Sequence, residues 1–274
     1  MKKILNLERG ENAVSETVGF IIIFGIMMSG IALVTLYGYP ALLDAQQNAN
    51  IRNMERNMIS LQSDVNSLTY KAVPYKETTM QVSGGVLSVK KPDDAKWLSI
   101  KVDGSDLLDI FAIDPAMKNK FQQGSLTFTS ESGLPIISLQ NGAVVKRELG
   151  GSVMLSEPRW FFDEASNTLV ITLIRVNSTP VLAKSGISTV RMEIVPYPIK
   201  DSENIIDENT TAKTVSITNR DEESDYYRGW KNYFENTLKM TEVAALPPGS
   251  PPTWQRTDIN RVIIKAWEIT ILNL

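Results

Sequence analysis

Two absences define the chemistry open to this chain: it contains no cysteine and no histidine. Without imidazole, Ser-His-Asp and Cys-His relays are excluded, and so is an ordinary zinc site. Without thiols there are no disulfides, so an exported domain must hold by core packing alone. Catalysis would rest on carboxylates, lysine, tyrosine or serine. Asp163-Glu164 offers adjacent acids, and a pair of carboxylates is what a glycan hydrolase uses. Acidic residues are plentiful, 31 in all, and no motif singles out a pair. No catalytic residue, cofactor or metal ligand is assigned on this reading, and an enzyme is not expected.

The stretch 200–225 reads KDSENIIDENTT and then NRDEESD. Clustered carboxylates and amides suit calcium, but the DxDxDG loop pattern is missing and a solvated loop is expected. Asn177-Ser178-Thr179 and Asn209-Thr210-Thr211 are acceptor sequons, which makes Asn177 and Asn209 candidates for N-glycosylation in an exported domain. The formal charge is −3. The first 43 residues carry three basic and three acidic groups, so the whole deficit lies in the remaining 231 residues. A nucleic-acid binder favours a basic face, so nucleic acid is not an expected partner.

Positioning these groups falls to two very different parts of the chain. Thr17 to Leu43 is a run of 27 residues without a charge, TVGFIIIFGIMMSGIALVTLYGYPALL. At 1.5 Å per residue a helix of that length spans about 40 Å against a hydrocarbon core of about 30 Å, enough to cross a bilayer with tilt. A secretory signal core is shorter, about 7–15 residues, and has a small-residue cleavage site behind it. Lys2, Lys3 and Arg9 precede the run, whereas Arg52 and Arg56 follow it, a bias that puts the N-terminus in the cytoplasm. Gly25 and Ser29 form a small-xxx-small pair that admits a second helix closely. Tyr37 and Tyr39 fit an outer aromatic belt, and Gly38 with Pro40 can loosen the helix there.

Arg9-Gly10 followed by ENAVSETVGF and the apolar run resembles the type IV pilin-like signal of archaeal surface proteins. The resemblance implies a prepilin-type peptidase cutting between Gly10 and Glu11, with the helix retained as an anchor or filament core. It also implies that Glu16 is the acidic residue near the mature N-terminus, able to neutralise a neighbouring subunit's terminal amine in a low-dielectric bundle. Further along, GSLTF, the Asn141-Gly142 turn, GSVMLSEP and LVITLIRV resemble the middle of a family of archaeal pilin-like proteins.

Past the anchor, Ile51, Met54, Met58, Leu61, Val65 and Leu68 step by three and four, an apolar stripe on one helix face. Nothing between 44 and 72 breaks the helix, and Val73-Pro74 ends it. The expected structure is a stalk continuing out of the membrane and lying on the domain; a short coiled coil or an ordinary first helix would show the same stripe. Strands then follow at close spacing: 78–82 and 86–89 around a Ser83-Gly84-Gly85 hairpin, 97–102 before Asp103-Gly104, 126–129, 136–139 and 143–145 around Asn141-Gly142, 152–155, 160–162, 169–176, 188–195 and a closing 262–272. Tyr226, Tyr227, Trp230, Phe234 and Leu238 have helical spacing and the character of a core face. LPPGSPPTW at 246–254 reads as a stiff connector.

The expected fold is therefore α+β: a long N-terminal helix, half transmembrane and half amphipathic stalk, packed on a mainly antiparallel, sandwich-like exported domain. The divisions are a leader at 1–10, a membrane helix at 11–43, a stalk at 44–73 and a β-rich domain at 74–274 with a short helix near 225–240. The expected function is that of a single-pass, pilin-like structural protein of the cell surface, cytoplasmic at its N-terminus and extracellular at its C-terminus. A minor subunit of a type IV pilus-like filament fits its size. Membrane lipid, the peptidase and other pilin-like subunits are the expected partners. The alternative is a monomeric tethered ectodomain for binding or adhesion.

Overall fold

The computed structural model describes residues 9–71, 73–106, 120–197, 205–221, 226–243 and 250–274. Helical backbone runs from α1 (Arg9–Leu33) through a π turn (Val34–Gly38) into α2 (Tyr39–Lys71). The π turn has a local cause. Pro40 lacks the N–H that would bond one turn back, and its ring crowds that carbonyl. The backbone widens just ahead of it, with Tyr39 N–H donating to Val34 O. The helix loosens there and goes on.

By contacts the chain forms two units, 1–50 and 51–274. The second contains the lower half of α2 and a mainly antiparallel sheet that collects all fourteen strands of the described residues. In chain order these are β1 (Tyr75–Lys90), β2 (Lys96–Val102), β3 (Ser105–Asp106), β4 (Phe121–Gln122), β5 (Ser125–Ser130), β6 (Ile136–Gln140) and β7 (Ala143–Glu148). They continue with β8 (Gly151–Ser156), β9 (Phe161–Asp163), β10 (Thr168–Asn177), β11 (Ala183–Pro196), β12 (Ile205–Asp221), β13 (Thr241–Val243) and β14 (Thr253–Asn273), with α3 (Tyr227–Asn232) and a second π turn (Tyr233–Thr237) before β13. The order along the sheet is β3-β2-β12-β14-β11-β1-β5-β6-β7-β8. β10 runs parallel to β14. β14 is the central strand: β12 and β11 share one edge, and β13 and β10 share the other.

Adjacent residues Val144 and Val145 belong to different apolar clusters, so β7 has a core on each face. On one side Met54, Met58, Leu61, Val65 and Leu68 of α2 are at most 1% exposed and pack over Leu87, Phe128, Ile137 and Met192. The three-and-four stripe thus faces the sheet, and Ile51, half-buried, stands at its margin. Burying each such side chain contributes about 1.5–3 kcal/mol. On the other side Tyr226, Trp230, Tyr233, Phe234 and Leu238 join Trp160 and Trp254 in an aromatic core, with Phe234 and Trp254 stacked at 4.6 Å. Tyr227 alone of the expected aromatic face is partly exposed.

Two expectations are corrected. The Ser83-Gly84-Gly85 segment is not a hairpin: β1 passes straight through it, pairing with β11 on one edge over 75–82 and again at 87–88, and with β5 on the other over 85–90. The glycines sit in a bulge, where the register with β11 shifts between Val82 and Leu87. Gly84 has φ 71°, and a Cβ on Gly85 would meet Thr129 O at 2.3 Å. The acidic stretch is not simply a loop either, since 205–221 form β12, with Val215 and Ile217 buried and polar residues between them. Residues 200–204, 222–225 and 246–249 of the acidic and proline-rich stretches lie outside the described residues.

Candidate functional site

The feature most in need of a partner is the N-terminal helix. From Glu16 to Lys71 it is the one described helix long and apolar enough to cross a membrane, and its most apolar 18 residues have mean hydropathy 2.4 with none of them buried. Phe20, Ile21, Ile22, Ile23, Phe24, Ile26, Met27 and Ile31 are each at least half exposed. Water would penalise such a surface at about 25 cal/mol per Å². The helix is a candidate membrane span by length and composition.

Within it, Arg9, Gly10 and Glu11 lie in the first turn of α1, whereas residues 1–8 of the expected leader are outside the described residues. Glu16 is an exposed residue of the same helix. Ser29 Oγ donates to Gly25 O at 2.7 Å, which satisfies the hydroxyl within its own helix. A Cβ placed on Gly25 meets nothing within 4 Å. The small pair therefore leaves a shallow patch on the helix surface that the monomer does not use. Tyr37 and Tyr39 are 72% and 59% exposed.

The two sequons differ in access. Asn177 is half-buried, and its amide nitrogen donates to Glu268 Oε1 at 3.1 Å. Asn209 is exposed on β12. Of the two candidate acids, Asp163 accepts from Ser166 Oγ and from Ala165 N, closing its own turn. The Ser166 hydroxyl holds its carboxyl below the usual range, the wrong direction for a general acid.

Other interactions have no signal in the sequence. Gln62 of α2 is 4% exposed and donates to Gly142 O at 2.7 Å and Glu157 O at 2.8 Å. Asn141, with φ 46°, accepts from Ile174 N at 2.8 Å. Helix, Asn141-Gly142 turn and β10 are thereby fixed together. Lys96 and Asp221, opposite one another on β2 and β12, form an ion pair at 3.5 Å that is almost fully enclosed. Phe162, Lys239 and Arg256 meet at a cavity of about 510 Å³ assembled from three separate segments, which no local pattern announces.

Among known proteins, an uncharacterized protein of Archaeoglobus fulgidus is 28% identical over 81 residues, which are 30% of this chain and 27% of that protein. This chain thus matches only about a quarter of that relative's length. No solved structure matches. A family pattern matches residues 12–271, nearly the whole chain, and on that match the chain belongs to the family described as a family of unknown function, DUF7289.

Proposed function

We propose that the protein is a membrane-anchored, pilin-like structural component of the cell surface. The observation that carries this reading is the contrast along one helical stretch. Met54 to Leu68 are spent on the domain core, while Val18 to Leu43 expose their apolar side chains in every direction. A helix hydrophobic all round belongs in lipid or among other helices. The Arg9-Gly10-Glu11 sequence would serve as the processing site for a prepilin-type peptidase, with Glu16, Gly25 and Ser29 on the retained helix. The basic residues Lys2, Lys3 and Arg9 favour a cytoplasmic N-terminus, which makes the β-rich part extracellular and Asn209 the better placed glycosylation acceptor.

Shearing cells and separating released material from membranes tests assembly. A filament subunit is recovered in the sheared fraction together with copies of itself. Recovery in the membrane fraction alone means a monomeric tether and removes the filament part of the proposal. Release by carbonate washing would remove the anchor itself.

A further inference from the structure

Along the edge of β14 that carries β13 and β10, pairing is interrupted. β13 is paired up to Gln255, and β10 begins at Arg261, with Asn260 N and Arg261 N donating to Asn167 O. Between them, Arg256–Ile259 have no strand on that side among the described residues, and Asp258 turns the chain with φ 61°. The cavity of about 510 Å³ lies at this interruption. Its size is that of a small-ligand site, about 300–1,000 Å³.

The lining is polar and mostly uncommitted. Arg256 lies flat on Phe162, its guanidinium carbon 3.4 Å from the ring centre, and spends one N–H on Leu238 O at 2.7 Å. That contact fixes the guanidinium plane and leaves its other donors for the cavity. Lys239, held at φ 54°, adds a second cation. The side chains of Asn167, Gln255 and Thr241 make no hydrogen bond among the described residues, so amide and hydroxyl groups surround the two cations. Asp258 is the one acid of the lining, with Thr257 Oγ1 donating to its carboxylate.

We propose that this cavity binds an acidic sugar, its carboxylate on Arg256 and Lys239 and its hydroxyls on Asn167, Gln255 and Thr241. The charges argue for no more than one negative charge: the two cations of the lining stand against Asp258, and Glu164 acts on Arg256 from outside it, so a doubly charged phosphate would face both carboxylates. The stacking argues against a nucleobase, because the face of Phe162 is already covered by Arg256. Neutral donors and acceptors on several sides are what hydroxyl groups require, and a simple anion would leave them idle. The inference does not depend on whether the N-terminal helix assembles.

Saturation-transfer NMR on the full chain in detergent, titrated with glucuronate, glucose and inorganic phosphate, tests it. Glucuronate binds, and glucose binds at least about tenfold more weakly for want of the charge-assisted contact. Lys239→Gln, on an exposed turn, weakens glucuronate about threefold without moving the thermal midpoint, and Arg256→Gln weakens it by about tenfold or more. Equal binding of glucose and glucuronate, preference for phosphate, or absence of glucuronate binding overturns the proposal. So does a Lys239→Gln protein that binds like the parent.

Discussion

Gln62 concentrates the residue-scale argument. Its amide reaches across from the helix to two carbonyls, Gly142 and Glu157, at the point where the Asn141-Gly142 turn meets the core. Gln62→Ala strands both acceptors and costs about 2 kcal/mol, read as a lower denaturant midpoint with an unchanged slope. A second residue gives a pH test. Glu242 accepts from Lys231 Nζ at 2.6 Å and from Tyr227 Oη at 2.6 Å, and these bonds hold its carboxyl below the usual carboxylate range. A folded-state pKa below the unfolded value of about 4.3 means that the stabilisation is complete above that pH and is lost as pH falls through the folded value. The thermal midpoints of the parent and Glu242→Gln therefore differ at pH 7 and converge in more acidic solution. A gap that persists at pH 2 contradicts the assignment. Tyr233 is shifted the other way: burial pushes its phenol up, and its O–H donates to Trp160 O at 2.9 Å inside the aromatic core.

At the scale of elements, legibility followed the range of the interaction. The α2 stripe was readable because period 3.6 with apolar spacing is local, and five of its six residues are core. Asn141-Gly142 was readable because two successive positive φ values, 46° and 75°, suit that dipeptide. Ser83-Gly84-Gly85 misled for the same reason turned round. Glycine signals a special backbone without saying whether the chain reverses there or only bulges, and the distant strands β11 and β5 decide it. The strand character of 205–221 was masked by its charge, because the solvent-facing positions of β12 outvote Val215 and Ile217 in composition. The cavity beside β14 depends on three distant segments and was not legible at all. For α1 the prediction is specific. A Cβ at Gly25 meets nothing within 4 Å, so Gly25→Leu leaves membrane recovery and thermal midpoint as they are, while close approach of a second helix is blocked. Loss of sheared filaments with the domain intact is the expected outcome; unaltered filament yield removes Gly25 from the packing surface.

For the whole molecule, the two units divide the work. Residues 51–274 account for their own stability with a core on each face of the sheet and no disulfide. Residues 16–43 are absent from that core and expose the apolar surface of a helix long and apolar enough to cross a membrane. The proposed account joins these facts through processing: a helix retained after the leader is removed, with Glu16 close to a newly made amine. Intact-mass and N-terminal peptide spectrometry of the protein taken from the native cell surface tests this most directly. The account predicts a chain beginning at Glu11, with the apolar helix still attached. A surface protein that retains Met1 and Lys2, or one that has lost the helix altogether, would contradict it.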